Sequence, residues 1–195
     1  MPDAAGNLYK EDFLDQTVVR FVSYLDPDVV LACAFTGNAY VHRLSNGPHA
    51  PDQDDSLFRI GTLQNPNGRP AAPDGFFYLH PMCQDYIPRA EYYDEDPTMM
   101  VLACSIVSDD DSVDGSLLSA VDWQAHFYHP EELFTVDMVD GCWFALNNHD
   151  RSAVADVNGS GTAEGNTISG WSWNGGDNQR WRAEPVAMPG EVHVD

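Results

Sequence analysis

Five polar and aromatic residues in the last quarter of the chain are of the types that can hold a neutral sugar. They are Asp156, Asn158, Trp171, Asn174 and Gln179. A sugar presents hydroxyl groups along its edges and a patch of C–H groups on one face. A carboxylate accepts charge-assisted hydrogen bonds from hydroxyls, a primary amide both accepts and donates, and an indole ring offers a flat surface for the C–H face. These residues therefore predict a carbohydrate-binding site.

Each of these residues also has a purely structural interpretation. Asp156 can hydrogen-bond the Asn-Gly turn that follows it, and Asn174 begins a common turn pair. Either Trp171 or the neighbouring Trp173 can instead be buried in a core. The alternative to a working sugar site is therefore a scaffold that has lost it.

The order of motifs over residues 142–186 resembles the ricin-B-type lectin repeat. The family pattern has an Asp in an LDV-like strand, an NG turn, an aromatic residue before a CNGG-like turn, and a closing QxW. The corresponding segments here are Ala155-Asp156-Val157-Asn158-Gly159, Trp171-Ser172-Trp173-Asn174-Gly175-Gly176 and Asn178-Gln179-Arg180-Trp181. The resemblance implies that the matching positions form the sugar pocket, with Trp171 as the stacking ring. It also implies that Gln179 orients the pocket from behind and that Trp181 belongs to the core.

The elements that would position this site form three weak copies of one unit. Each copy has four short runs rich in β-branched and aromatic residues, separated by turn-forming residues. The runs are 18–25, 29–35, 39–44 and 56–63, then 75–82, 99–107, 116–123 and 132–139, then 142–148, 152–157, 166–173 and 179–186. Four strands repeated three times predict an all-β fold, a β-trefoil of twelve strands in which six close a barrel and three hairpins cap it.

The length of the chain suits one domain. With 195 residues, of which 43% are hydrophobic, the chain can bury a sizeable core. We expect one β-trefoil domain over residues 1–195, with repeats at about 17–63, 75–139 and 142–186 and short tails at both ends.

One bulky aromatic residue recurs at the same place in each copy. Phe58, Phe134 and Trp181 all follow the start of the fourth run, and we expect them to point into the barrel interior.

The first two copies depart from the sugar-binding pattern. Neither has a QxW, and aligning their second runs with the third copy places Cys33 and Cys104 opposite Asp156. A thiol cannot replace a carboxylate as a strong acceptor for sugar hydroxyls. Sugar binding is therefore expected in the third copy alone.

The charge of the chain excludes several classes of partner. Nine basic residues against 31 acidic residues give a net charge of −22. Such a surface repels phosphate backbones and anionic headgroups, so we expect no nucleic acid partner and no simple membrane adsorption. No stretch approaches the roughly 18 apolar residues that span a bilayer, so we expect no membrane insertion. Glycans or glycoproteins are the predicted partners. No signal peptide is visible after Met1, which predicts a cytoplasmic protein.

No cofactor, metal or catalytic site is predicted. The four cysteines form no CxxC pair and are expected to be free thiols. Residues 109–115 superficially resemble a calcium loop but lack its closing glutamate. Asp122, His126 and His129 lie near one another in sequence without a recognisable nucleophile. The chain is therefore expected not to be an enzyme.

The leading hypothesis is a non-catalytic lectin with one principal site in the third copy. Resemblance to cytosolic fungal ricin-B-like lectins implies a role in defence. A single shallow site binds weakly, so useful avidity would require oligomerisation, for example as a homodimer. The alternative is a β-trefoil protease inhibitor, with a protease as its partner, in which the long polar loops 46–55 and 84–98 make the contacts.

Overall fold

The computed structural model describes residues 8, 13, 17–33, 38–46, 55–62, 72, 75–82, 100–105, 114–122, 132–149 and 152–186. Twelve β-strands lie within these residues and join into a single sheet. They are β1 (Val18–Ser23), β2 (Val29–Cys33), β3 (Ala39–Arg43), β4 (Phe58–Gly61), β5 (Tyr78–Pro81), β6 (Met100–Ser105), β7 (Ser116–Asp122), β8 (Phe134–Asp140), β9 (Trp143–Asn148), β10 (Ala153–Val157), β11 (Ile168–Ser172) and β12 (Trp181–Pro185). Each strand overlaps one predicted run, so the predicted all-β architecture is confirmed.

Six of the described strands close a barrel. Strand β1 pairs with β12 and β4, β4 pairs with β5, and β9 pairs with both β8 and β12. The last junction, between β5 and β8, is closed by a bridge in which Phe77 and Phe134 exchange backbone hydrogen bonds of 2.9 and 2.8 Å. Closure pairs strand edges that would otherwise stay open.

The other six described strands form the hairpins β2–β3, β6–β7 and β10–β11. The second strands of these hairpins meet around a pseudo-three-fold axis. Three equivalent pairs make that contact: Asn38 with Ser119, Leu117 with Ser169, and Thr167 with Tyr40. A closed six-stranded barrel capped by three hairpins is the β-trefoil that the sequence predicted.

The three recurring aromatic residues lie inside the barrel as expected. Phe58, Phe134 and Trp181 each begin a barrel strand, and none has any exposed surface. The buried indole N–H of Trp181 donates to the carbonyl of Ala155 at 2.9 Å. This bond satisfies the one polar group of the ring and ties β12 to β10, the strand that carries the candidate site.

The predicted register of the two cysteine-containing strands is wrong by one residue. The alignment of the copies follows from four cross-strand pairs: Val19 with Phe58, Phe144 with Trp181, Val22 with Val30, and Asn147 with Val154. By this alignment Ala32, not Cys33, is the counterpart of Asp156. The three-fold contacts between the hairpins likewise place Ala103, not Cys104, at that position in the second copy. An alanine side chain has no acceptor, so the expected loss of the carboxylate stands.

The two cysteines whose side chains the structure describes differ in environment. Cys33 is fully buried within the hydrophobic core, where it packs as a small apolar residue. Cys142 is a free, half-buried thiol beside the turn that precedes β9.

Several sequence features lie wholly or mainly outside the described residues. These are the terminal tails, Cys83, residues 109–113, His126, His129 and the loops 46–55 and 84–98. In the part of the chain that the structure describes, no helix is long and apolar enough to span a membrane. Within the same residues, no three His, Cys, Asp or Glu side chains group closely enough to hold a metal ion.

Candidate functional site

The β10–β11 hairpin places two predicted site residues on one face. Asp156 pairs with Ser169 across the hairpin, and Trp171 lies two residues further along β11. Because side chains alternate between the faces of a strand, Asp156, Ser169 and Trp171 share a face. The flanking residues Val157 and Ile168 point to the opposite face and are buried in the core.

Asp156 is a buried carboxylate held by two amide groups. Only 5% of its surface is exposed. Its Oδ1 atom accepts a hydrogen bond of 2.8 Å from the side-chain amide of Asn178, and its Oδ2 atom accepts one of 2.9 Å from Gln179. Both donors lie in the 3-10 turn Asp177–Gln179 rather than in the Asn-Gly turn after β10. The carboxylate is therefore fixed in orientation before any ligand arrives.

The environment of Asp156 changes its titration. Burial raises the pKa of Asp156 and outweighs the hydrogen bonds from Gln179 and Asn178, which lower it. The nearby carboxylate of Asp114 raises the pKa further. Asp156 therefore gains its proton at a higher pH than an exposed aspartate does.

Gln179 connects three segments around the pocket. Its side chain has no exposed surface. Besides bonding Asp156, its Nε2 atom donates to the carbonyl of Ser172 at 2.9 Å, and its Oε1 atom accepts the backbone N–H of Asn174 at 2.8 Å. Gln179 thus joins the ends of β10 and β11 to the loop that follows them, and its own side chain lies behind the pocket.

Asn174 shapes the loop between β11 and the 3-10 turn. Its Oδ1 atom accepts the backbone N–H of Gly176 at 2.8 Å. A Cβ atom at Gly176 would lie 2.8 Å from that same oxygen and 2.5 Å from Oδ1 of Asn178. Glycine is therefore the residue that lets both asparagine side chains approach this position.

Arg180 fixes the same loop from its outer side. Its guanidinium donates to the carbonyl of Gly175 at 2.9 Å and also lies over the ring of Tyr24, 5.4 Å from the ring centre. The first copy thereby supports the loop of the third copy through a cation–π contact.

Both candidate stacking residues are exposed. Trp171 has 38% of its surface exposed and Trp173 has 43%. The alternative in which one of them is buried in a core is therefore wrong. The exposed indole ring of Trp171, on the same face as the fixed carboxylate, offers apolar surface to a ligand.

Asn158 belongs to the hairpin rather than to the carboxylate cluster. Its Oδ1 atom accepts a hydrogen bond of 2.6 Å from the hydroxyl of Ser169, and its backbone carbonyl accepts one of 2.9 Å from the side chain of Asn166. Through Ser169, which faces Asp156 across the hairpin, Asn158 supports the floor of the site.

Sequence reasoning did not single out Asn178. Its side chain is half-buried and donates both to Asp156 and, at 3.3 Å, to the carbonyl of Val157. The available signal was its place directly before Gln179, at the start of the closing motif. Only the fold shows that the turn carries this amide onto the carboxylate.

In the first copy, the equivalent pocket is filled by its own side chains. Tyr40, His42 and Asp55 stand at the positions of Ser169, Trp171 and Asn178. The Tyr40 hydroxyl donates a hydrogen bond to the Asp55 carboxylate. His42 is 1% exposed, and its Nδ1 atom lies 3.1 Å from Glu164, a residue of the third copy.

The titration of Asp55 is also changed by its environment. Burial raises the pKa of Asp55 to about 6, and the negative charge of Glu164 adds to the rise. The buried Asp55 carboxyl already accepts the Tyr40 hydroxyl, so that acceptor position is not open to a sugar hydroxyl. The first copy thus differs from the third in two ways: it lacks the QxW motif, and it has different side chains at the equivalent positions.

Comparison with known proteins agrees with this architecture. Residues 130–192 match the family described as "Ricin-type beta-trefoil lectin domain-like". The resemblance that the motifs of residues 142–186 predicted is therefore confirmed. No curated protein sequence matches the chain.

Solved structures share the fold at low sequence identity. The designed three-fold symmetric protein ThreeFoil is 16% identical with a TM-score of 0.61, over 87% of this chain and 99% of that one. The Rhizoctonia solani agglutinin is 13% identical with a TM-score of 0.57, over 89% and 97%. A Polyporus squamosus lectin is 9% identical with a TM-score of 0.60, over 89% of this chain but 50% of that one.

The protein is thus a β-trefoil whose third copy matches the ricin-type lectin family. A β-trefoil of this kind supports carbohydrate binding in general. At these identities the structural likeness establishes the fold, and any particular sugar site has to be argued from the residues of this chain.

Proposed function

We propose that this protein is a non-catalytic lectin that binds a neutral sugar through the third copy. One observation carries the proposal: a buried carboxylate, Asp156, is oriented by two amide groups on the face of the hairpin that also bears the exposed ring of Trp171. A carboxylate that only stabilised the fold would not need an exposed indole ring beside it. Glycans or glycoproteins are the partners that this arrangement suits.

Each residue has a distinct task in the proposed complex. The lone pairs of Asp156 that are not used by the two amides accept hydrogen bonds from vicinal sugar hydroxyls. The amide of Asn178 offers a further donor or acceptor, and the Trp171 ring stacks on the C–H face of the sugar. Asn174 lines the rim of the pocket.

The remaining two predicted residues act from behind the pocket. Gln179 orients the carboxylate, and Asn158 supports the hairpin through Ser169. No step of bond making or breaking is assigned to any of these groups. A role in defence, which the family resemblance implies, is part of the same proposal and depends on the sugar that is bound.

A glycan array followed by calorimetric titration tests the proposal. Replacing Asp156 with Ala removes the central acceptor, and replacing Trp171 with Ala removes the stacking ring from an exposed position. A hydrogen bond to a charged group contributes about 1.5–3 kcal/mol, so we expect Asp156→Ala to lose at least about tenfold in affinity. Trp171→Ala should lower the affinity as well, because it removes the apolar surface on which the sugar stacks. Circular dichroism checks that both variants stay folded.

Trp173 supplies the matched control because it is an equally exposed tryptophan two residues away. Trp173→Ala should retain glycan binding, whereas Trp171→Ala should not. Unchanged binding by the Asp156→Ala variant would disprove the site assignment. Loss of binding in Trp173→Ala but not in Trp171→Ala would identify Trp173 as the stacking ring.

A further inference from the structure

The third-copy pocket receives one wall from the second copy. Residues Asp114 and Gly115 precede β7, and the backbone N–H of Gly115 donates to the carbonyl of Gly170 at 2.9 Å. This bond continues the pairing of β7 with β11, in which Ser116 lies opposite Gly170. The second copy is therefore hydrogen-bonded to the strand that carries Trp171.

Two contacts bring this wall to the stacking residue. Gly115 has a φ of +84°, and a Cβ atom placed on it would lie 3.8 Å from Cζ3 of Trp171. The Oδ1 atom of Asp114 accepts the backbone N–H of Ser172, the next residue along, at 2.7 Å. Asp114 is itself exposed, so its charge stands at the surface beside the indole ring.

We infer that Asp114 determines specificity in this pocket by setting a second negative charge beside Asp156, so that neutral or cationic sugars are selected over sugars bearing carboxylate or sulfate. The inference rests on the proposed function of the third copy. It adds a residue from a different copy and a class of ligand that the pocket rejects.

Independent observations support an electrostatic role. The charge of Asp114 acts on Asp156, since it contributes to the raised pKa of that carboxyl group. Among the described residues, two arginines that follow the 3-10 turn each have a carboxylate partner: Arg180 lies 3.7 Å from Asp177, and Arg182 lies 2.7 Å from Glu184. An anionic sugar would therefore meet two carboxylates in a molecule that already carries a net charge of −22.

The test is a charge series on one sugar scaffold. Binding of wild-type protein is compared for glycans ending in N-acetylglucosamine, for the same glycans with a sulfate on a free hydroxyl, and for their de-N-acetylated glucosamine forms, which carry an ammonium group. The variant Asp114→Asn keeps the oxygen that accepts the Ser172 N–H but removes the charge. Asp140→Asn, which removes an exposed charge from the barrel strand β8, is the matched control.

We expect Asp114→Asn to raise the affinity for the sulfated glycan relative to the neutral one by about two- to tenfold at low salt. The same variant should lower the relative affinity for the ammonium form, because an attraction is lost. Asp140→Asn should leave both ratios within about twofold of wild type, and added salt should reduce the effect of Asp114→Asn.

Opposite shifts for the anionic and cationic glycans support the inference, because a steric change could not produce both. Unchanged ratios in Asp114→Asn, or an equal change in Asp140→Asn, would overturn it while leaving the sugar site in place. If wild-type protein binds no member of a full glycan array, the proposed function itself fails.

A carbon-13 NMR titration of Asp156 tests the electrostatic coupling without sugar. The pKa of Asp156 should be lower in the Asp114→Asn variant than in wild-type protein, and an unchanged pKa argues against the coupling.

Discussion

A carboxylate becomes useful for binding sugars when its orientation is fixed and its charge is kept. Asp156 meets the first condition through Asn178 and Gln179, which occupy one lone pair on each oxygen. Its burial works against the second condition, since a charge is less stable away from water. The two amide donors offset part of this cost, because they stabilise the ionised form of Asp156. A purely apolar environment would instead favour the protonated, uncharged form.

Sugar binding by this site should weaken in mild acid. The pKa of Asp156 lies above its usual value of 3.8, so protonation begins at a higher pH than for an exposed aspartate. The binding form is the carboxylate; affinity is therefore constant above this raised pKa and falls about tenfold per pH unit below it. Calorimetric titration from pH 7 down to pH 3.8, with circular dichroism as a folding control, measures the effect. Full affinity at pH 3.8 would show that the carboxylate is not the acceptor.

Asp55 should lower stability at neutral pH. Its folded pKa of about 6 exceeds the usual value of 3.8, so the folded state binds more protons between these two values. Stability therefore decreases as pH rises through this window and levels off above it. Asp55→Asn should raise the free energy of unfolding by about 1–3 kcal/mol at pH 7 and by much less at pH 4. Urea unfolding at both pH values tests this, and an equal gain at both would contradict it.

The part of the site that the sequence predicted is the part encoded within one copy. Asp156, Trp171 and Gln179 are close along the chain, so strand alternation and the turn motif bring them together. Asp114 depends on how the copies pack, and the Tyr40–Asp55 bond depends on how the turn before β4 folds back onto β3 of the same copy. Nothing in the local sequence of these residues shows which neighbour they meet. Such contacts therefore could not be predicted from sequence motifs.

The strands themselves were predicted well, and their register less well. All five residues of β2 are buried, and so are all five of β10. A strand covered on both faces has no polar alternation, and alternation is the signal that would fix which residue points which way. This explains why the alignment of Cys33 with Asp156 was wrong by one residue while the strand bounds were nearly right.

The loop that joins β11 to the 3-10 turn should control affinity more than stability. Gly176 has ordinary extended angles, φ −66° and ψ 153°, which alanine adopts without strain. The Cβ atom of Gly176→Ala would instead displace the side chains of Asn174 and Asn178. Because these are the ends of side chains, we expect a stability change below about 1 kcal/mol but a loss of about tenfold or more in glycan affinity.

Gly159→Ala, in the turn that follows β10, is the contrasting variant. Gly159 has a φ of +59° and open space where a Cβ atom would lie. Alanine there should cost about 1–2 kcal/mol of stability through backbone strain, with glycan affinity retained. Thermal unfolding and calorimetry together separate the two effects. Equal losses of affinity in both variants would mean that general loosening of the third copy, not the displaced asparagines, is responsible.

The whole molecule combines a symmetric scaffold with asymmetric surfaces. Equivalent aromatic residues fill the barrel in all three copies, and equivalent pairs join the three hairpins. The sites above the hairpins have diverged: the third has Asp156, the second has Ala103, and the first has its pocket filled by Tyr40 and Asp55. Barrel closure demands similar interiors, whereas the outer faces are free to differ.

This asymmetry predicts one glycan per chain. The first copy lacks the carboxylate at Ala32 and fills its pocket with a bonded tyrosine, and the second copy has Ala103 at the equivalent place. Calorimetric titration of wild-type protein should give a stoichiometry of one. Asp156→Ala should remove all measurable binding, and not only a fraction of the sites.

Adding a carboxylate with Ala32→Asp should not create a second site, because Tyr40 and Asp55 still occupy the equivalent positions. A stoichiometry above one in wild-type protein, or residual sites in Asp156→Ala, would show that another copy binds and that the filled pocket opens to its ligand. Because binding is then univalent per chain, strong attachment to a glycan surface requires association of chains, which sedimentation in the presence and absence of the glycan measures directly.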